Sequence, residues 1–314
     1  MLREMTEDIY MLDVRFPADM GQMNCYLIKG EAGYTVIDTG MRAKESIEIW
    51  EKVLDTGISI EKVVLTHVHH DHIGLAKWFQ DNYGIPIVVS NRGYEEMKKY
   101  GSPDLYPNLS ELLHKHGAPD VAETIGVEQD VYHFYPDGFF NNHDYLKLGD
   151  HLYQAIWTPG HAPDHFCFYN EEKKVLIIGD HVLNDVSPVI GLWLGTEKNV
   201  LHDYLASLEL IKPFSAELVL PGHGEPIENL PDRVENLQSR HAYRLKQMKQ
   251  NIKDEGSTVY EICMNIYGKL DIILYLSPFM STLTRLIYLE EKGEIKRHEQ
   301  DGKVTFHVAA SNEK

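Results

Sequence analysis

The sequence predicts an α/β protein, with sheets built from alternating strands and helices and helices packed outside them. Three observations carry this prediction. Short β-rich runs open the chain, strand-length apolar runs then alternate with stretches of helical spacing, and several of those runs end at a histidine or aspartate beside a turn residue. At 314 residues the chain suits one large core plus an appendage.

Ile9 to Val14, Asn24 to Ile28 and Tyr34 to Ile37 are separated by glycine-bearing turns and read as an antiparallel meander. Ala43 to Leu54 sets Ile47, Val53 and Leu54 among charges, the spacing of an amphipathic helix; Val63 to Leu65 reads as a buried strand, Ile73 to Tyr83 as a helix and Pro86 to Val89 as a strand. From Asn91 to about Gly149 the pattern turns irregular, rich in Gly, Pro and aromatics, as expected of a lid or a satellite subdomain. Strands return at Leu152 to Trp157, His165 to Tyr169, Val175 to Ile178 and Leu218 to Leu220, with a helix around Leu201 to Ile211. Pro231 to about Asp254 places Val234, Leu237, His241, Leu245, Met248 and Ile252 on one helical stripe, closed by Gly256 and Ser257. Helices at Val259 to Tyr267 and Pro278 to Glu291 follow, then a hairpin turning at Asp301-Gly302, which together suggest a winged-helix-like module. The chain is thus expected to divide into a catalytic part over 1–230 with a lid insertion over 91–149, a connecting helix over 231–257, and the module over 258–314.

Composition narrows the function classes. With 43% apolar and 25% charged residues the chain is an ordinary globular protein, and no apolar run reaches the ~20 residues of a membrane span, Leu270 to Met280 being the densest. "MLREMTEDIY" lacks an apolar signal core, so a cytoplasmic location is expected. Cys25, Cys167 and Cys263 lie far apart without CxxC spacing, which argues for small buried apolar roles and against a disulfide framework. A net charge of −18 disfavours nucleic acid and anionic membrane as partners, although bound divalent cations reverse the sign locally.

The chemistry concentrates in "LTHVHHDHIG", where four histidines and an aspartate crowd between His67 and His72 directly after an apolar strand. Imidazole and carboxylate suit a borderline divalent metal. More donors follow other strands beside turn residues: His161 in "TPGHAPDH", Asp180 in "IIGDH" and His223 in "LPGHG". His67, His69, Asp71, His72, His161, Asp180 and His223 exceed what one tetrahedral ion uses and match two ions sharing a bridge. Any one of these histidines alone would more often be a core or surface residue; four strand-end clusters in one chain are not explained that way.

With "VIDTG", "THVHHDH", "TPGHAPDH", "GDH" and "LPGHG" in place, the chain from about Asn24 to Glu225 resembles the metallo-β-lactamase superfamily. The resemblance implies a four-layer αββα sandwich with the metals at one edge, here with a helical insertion and the C-terminal module. It implies that His67, His69 and His161 hold one ion, that Asp71, His72 and His223 hold the second, that Asp180 bridges them, and that His70 points elsewhere. It makes Asp38 a residue that orients the metal loop. Asp164, His165, His181 and Tyr204 stand beside the motifs as weaker orienting or proton-donating residues, each explained slightly better as a buried hydrogen-bonded side chain. More loosely, "MNCYLIKGEAGYTVIDTG", "LLHKHGAP", "GDHVLNDVSPVIGLW" and the C-terminal module resemble the branch that includes the lactamase-like endoribonuclease and bacterial relatives.

The expected function is hydrolysis of a small ester, thioester or lactone by a hydroxide bridging two divalent ions, with zinc expected and iron or manganese compatible with the same donors. Asp71 and Asp180 would accept or orient the proton of the water. A single-stranded RNA phosphodiesterase is the second expectation, and a nucleic-acid binder with a vestigial metal site the third. Between Thr258 and Lys314 there are seven Lys or Arg against eight Asp or Glu, which lacks the basic footprint of a phosphate-tracking module. Packing or homodimerisation is the expected role of that segment, and the lid aromatics, Tyr135 and Phe139 among them, together with Trp193 either wall the substrate cleft or pack the insertion's own small core.

Overall fold

A computed structural model describes residues 2–16, 21–119, 128–268 and 272–309 of the chain. The meander appears as β1 (Leu2–Glu4), β2 (Ile9–Arg15), β3 (Gln22–Gly30) and β4 (Gly33–Ile37), all antiparallel. The chain then winds through α1 (Lys44–Leu54), β5 (Ile60–Val64), α2 (His70–Ile73), α3 (Ala76–Tyr83), β6 (Ile87–Ser90), α4 (Asn91–Tyr100), α5 (Leu105–Lys115) and β7 (Gly138–Phe140). β4 to β7 pair in parallel, so the first sheet is mixed, in the order β1 to β7. The second sheet, in the order β12-β11-β10-β9-β8, is made by β8 (Tyr145–Leu148), β9 (His151–Trp157), β10 (Phe166–Asn170), β11 (Val175–Gly179) and, after α6 (Val200–Ile211), β12 (Leu218–Pro221). Only its β11–β12 pair is parallel; the others are antiparallel.

The layers follow from alternation along the strands. Tyr26, Ile28, Ile37 and Val64 of the first sheet meet Phe166, Phe168, Val175, Ile177 and Leu220 of the second in a core between the sheets. The intervening residues Cys25, Leu27, Val36 and Val63 turn the other way, onto Trp50 of α1 and Phe79 of α3. Cys167, Leu176, Ile178 and Val219 likewise face Leu201 and Leu208 of α6. Both strand faces are buried, which is why these strands read as continuous apolar runs. The three cysteines are buried and unpaired.

The chain closes with α7 (Leu230–Gln250), α8 (Val259–Tyr267), α9 (Ile272–Glu291) and the hairpin β13 (Ile295–Gln300) and β14 (Lys303–Val308). The hairpin turns at Asp301 and Gly302, both at positive φ, as a two-residue turn requires. Phe279, Met280 and Leu283 of α9 and Phe306 of β14 lie in the same apolar cluster as Ile178 and Leu201, so this segment is built onto the outer face of the second sheet.

Two sequence expectations need correction. The stretch from Asn91 to Gly149 is not irregular throughout: it begins with α4 and α5 and ends in β7 and β8, strands of the two sheets. α4, "NRGYEEMKKY", hides because its buried face carries little beyond Gly93, Met97 and Tyr100, and α5 because Pro107 sits in its first turn, where the missing N–H breaks no helical bond. α9 begins at Ile272, with Pro278 inside it and not at its start. Part of the insertion, residues 120–127, lies outside the described residues.

Candidate metal centre

The strand ends bring the donors together. β5, β9, β11 and β12 all run out at one edge of the sandwich, and the loops after them carry His67 to His72, His161, Asp180 and His223. His67 Nε2 lies 3.1 Å from His69 Nδ1, which lies 3.0 Å from His161 Nε2. Asp71 Oδ2 is 3.3 Å from His223 Nε2 and 4.0 Å from His72 Nε2. Asp180 Oδ2 sits among both sets, 3.5 Å from His161 Nε2, 3.5 Å from His72 Nε2 and 3.3 Å from His223 Nε2. Within the sets His67, His69, His161 and Asp71, His72, His223, the donor atoms all lie within 4.8 Å of one another, and His67, His72 and Asp180 satisfy the same limit. His70 belongs to none of these sets, as the resemblance implies.

The outer ring nitrogens are spoken for, which fixes where the inner ones point. His72 Nδ1 donates to Asp38 Oδ2 at 2.9 Å, and Asp38 accepts from the Thr66 amide at 2.8 Å and the Thr66 hydroxyl at 2.7 Å. Asp38 holds this position at φ 58°, in the left-handed region. With its proton given to Asp38, the Thr66 hydroxyl accepts from His67 Nδ1 at 3.0 Å. His161 Nδ1 donates to the Val189 carbonyl at 2.8 Å and His223 Nδ1 to the Gln22 carbonyl at 2.7 Å. The inner nitrogens of His67 and His161 therefore carry lone pairs aimed at one space, and one His69 nitrogen cannot donate a proton to both. His72 Nε2 and Asp180 Oδ1 are buried without a hydrogen-bond partner. Such converging lone pairs and orphaned atoms fit divalent cations: tetrahedral ligands at about 2.0–2.1 Å from zinc lie about 3.3 Å apart.

The charges agree. Burial, with the repulsion of neighbouring imidazoles, pushes His67 well down, and burial plus His161 brings His69 to about 3, so both rings are neutral. Burial opposes protonation of His72 and His223, but Asp180 leads the carboxylates that raise them to about 10 and about 12. Burial would raise Asp71 and Asp180; His72 and His223 instead hold them below the usual carboxylate range. Without a cation, the second donor set thus collects protons as its positive charge.

The weaker candidates separate into distinct roles. His165 Nε2 accepts from the Asp180 amide at 3.0 Å while its Nδ1 donates to the Thr158 hydroxyl at 2.8 Å, which positions the Asp180 backbone. Asp164 Oδ2 accepts from the Val68 amide at 3.0 Å inside the metal loop; burial and Glu96 raise its carboxyl to about 7. The Tyr204 hydroxyl donates to the His181 carbonyl at 3.0 Å, and both residues lie outside the donor sets. Sequence reading missed Gly222, whose missing side chain leaves room for the Asp180 carboxylate: a Cβ there would collide with Asp180 Oδ1.

A cavity of about 290 Å³ opens onto the donors. His69, Asp71 and His161 are joined in its lining by His70, Tyr100, Leu105, Tyr106, Leu109, Tyr132, Trp193 and Leu276. The insertion and α9 therefore wall the site, the insertion through Tyr100, Tyr106 and Tyr132, with Trp193 beside them as expected; Tyr135 and Phe139 take no part. Tyr135 and Phe139 are exposed and stack edge-on with each other and with Tyr94, outside this lining. They cap the first sheet because β7, which carries Phe139, is its edge strand.

Fold and site together define a metal-dependent hydrolase with buried histidine and aspartate clusters at one edge of two sheets flanked by helices. The sequence pattern described as the metallo-beta-lactamase superfamily matches residues 18–223, and the chain belongs to that superfamily. The probable metallo-hydrolase YqjP of Bacillus subtilis is 27% identical over 281 residues, 83% of this chain and 86% of that protein. An atrochrysone carboxyl ACP thioesterase of Aspergillus fumigatus is 25% identical over 309 residues, 93% of this chain and 60% of that protein. A solved metallo-beta-lactamase family protein from Thermus thermophilus superposes with a TM-score of 0.85 at 26% identity, covering 97% of this chain and 100% of that one. Among the described residues no helix is long and apolar enough to cross a membrane.

Proposed function

We propose that this hydrolase cleaves a small ester, thioester or lactone bearing an apolar group, using two divalent ions, zinc first among iron, manganese and zinc. The observation that carries the reading is the largely apolar cavity ending on His69, Asp71 and His161. At its floor His67, His69 and His161 would hold one ion and Asp71, His72 and His223 the other, and Asp180, whose Oδ2 contacts members of both sets, would be shared between them. Bound there, the ions supply Lewis acidity and a water of lowered pKa. The chain's own residues do the rest. Asp38, Val189 and Gln22 keep the imidazoles turned inward. Asp71, the carboxylate on the cavity wall, accepts a hydrogen bond from the attacking water and orients it, and Leu105, Leu109 and Leu276 exclude bulk water from the scissile bond. Among the described lining residues there is no serine or cysteine, so the attack is by water.

The thioesterase among the relatives supports an acyl substrate. A phosphodiesterase acting on RNA, the activity of the narrower branch, finds less support in a described lining with no lysine or arginine and a chain of net charge −18. The C-terminal helices and hairpin, with their winged-helix-like order, serve this reading as a wall of the site and a packing element. Metal-reconstituted protein screened against thioesters, lactones, phosphodiesters and RNA tests it. Turnover of apolar thioesters or lactones is expected; cleavage of RNA alone would overturn it.

A further inference from the structure

A second cavity, of about 440 Å³, adjoins the one over the metal donors. Tyr100, Leu105 and Trp193 line both, so the two chambers share one wall. Their chemistry differs. The inner chamber carries the donors and is otherwise apolar, while the outer one holds none of the metal donors and is ringed by Lys98, Lys99 and Lys198 with Ser102, Asn108 and Thr196. Two of these lysines are engaged: Lys98 pairs with Glu95 at 2.6 Å and Lys99 with Glu96 at 2.5 Å. Lys198 is exposed at the rim and has no ion-pair partner among the described residues. With Lys98 and Lys99 neutralised by these glutamates, Lys198 is the lysine of the chamber left to meet an incoming anion, across from Asp104.

We infer that the substrate is bipartite: one side of its scissile bond is apolar and fills the inner chamber, and the other side ends in an anionic group of phosphate size that lodges against Lys198 in the outer chamber. This rests on the hydrolase reading above and adds the class of molecule to it. Hydrolysis then adds the hydroxyl of water to the acyl carbon and its proton to the leaving oxygen or sulfur, and the anion stays on its fragment unchanged. Lys198 and Leu276 are specificity-determining residues, one for each end, since Leu276 brings α9 into the inner chamber wall. An ammonium matched to a phosphate contributes a charge-assisted contact that a hydroxyl terminus forgoes.

Calorimetry on the metal-reconstituted full chain tests this with three non-hydrolysable thioethers: an octyl group with an arm ending in phosphate, the same with an arm ending in hydroxyl, and a methyl group with the phosphate arm. The first should bind roughly ten-fold more tightly than either of the others. Lys198→Gln should abolish only the advantage of phosphate, and Leu276→Trp only the advantage of octyl, with Leu276→Ala and a thermal melt guarding against misfolding. Equal binding of phosphate and hydroxyl arms, or a Lys198→Gln effect shared by both, overturns the inference. Turnover of the matching thioesters separates it from the reading beneath: selective binding without turnover sinks the ester hydrolase and keeps the bipartite site, and turnover indifferent to phosphate does the reverse.

Discussion

Asp180 Oδ2 touches ring nitrogens of both donor sets at 3.3 to 3.5 Å, and among the described residues no other carboxylate does so. Asp180→Asn keeps the shape and removes the charge, so it should lower occupancy of both sites and cost at least ~10²-fold in turnover, while His70→Ala should leave metal content near that of the parent. Elemental analysis beside kinetics decides: a fully metallated, active Asp180→Asn protein would move the bridge elsewhere. His72 and His223 are raised to about 10 and about 12 by the carboxylates that override their burial, so both are protonated at pH 8 and must give up a proton to ligate. Metal binding at that pH should release about two protons per chain and weaken as pH falls; calorimetry in two buffers of different ionisation enthalpy reads the number, and none released would mean that other atoms ligate. The donors were legible in the sequence because each is a metal-grade side chain at a strand end. Their orienting partners were not, since the carbonyls of Val189 and Gln22 leave no mark in a sequence.

Elements on opposite sides of the site are tied at Glu197, which precedes α6. It accepts from Lys115 at the end of α5 at 3.1 Å, from His116 at 3.2 Å and from Arg297 of β13 at 2.7 Å, and Arg297 also pairs with Glu290 of α9. The hydrogen bond from His116, then that from Arg297, outweighs burial and holds the Glu197 carboxyl well below its usual range. A depressed carboxyl stabilises the fold above its unfolded pKa of about 4.3, and that contribution fades as pH falls through the folded value. Glu197→Gln should therefore cost about 1 kcal/mol at neutral pH, a modest figure because the node is partly open to solvent, and should make acid unfolding shallower. Denaturant melts at pH 7 and pH 3 check both; an equal cost at the two values would rule the linkage out. The sheet strands and α1, α6 and α7 were readable from apolar spacing, while α4 and α5 were not. The wall they provide depends on ordinary leucines such as Leu105 and Leu109, whose role exists only once α5 packs over the donors.

At the scale of the molecule, the segment after Gly256 shares its apolar cluster with the second sheet and lends Leu276 to the cavity. A chain ending at residue 257 would expose the partners of Phe279, Leu283 and Phe306, an apolar loss larger than a marginally stable fold absorbs. It should aggregate or lose near-ultraviolet circular dichroism; a soluble, cooperatively melting, active fragment would instead make the last helices and hairpin a separable module. The donor loops have a further consequence, because those of His67 to His72 leave the first sheet and those of His161, Asp180 and His223 leave the second. An ion can be held by all of them only when the two sheets are docked, so free metal acts by mass action on the folding equilibrium itself, adding ~2.7 kcal/mol at a hundred times its dissociation constant. A cell starved of the metal would lose more than turnover: the unfilled chain would open more often to proteases, and its abundance would track the supply of the ion.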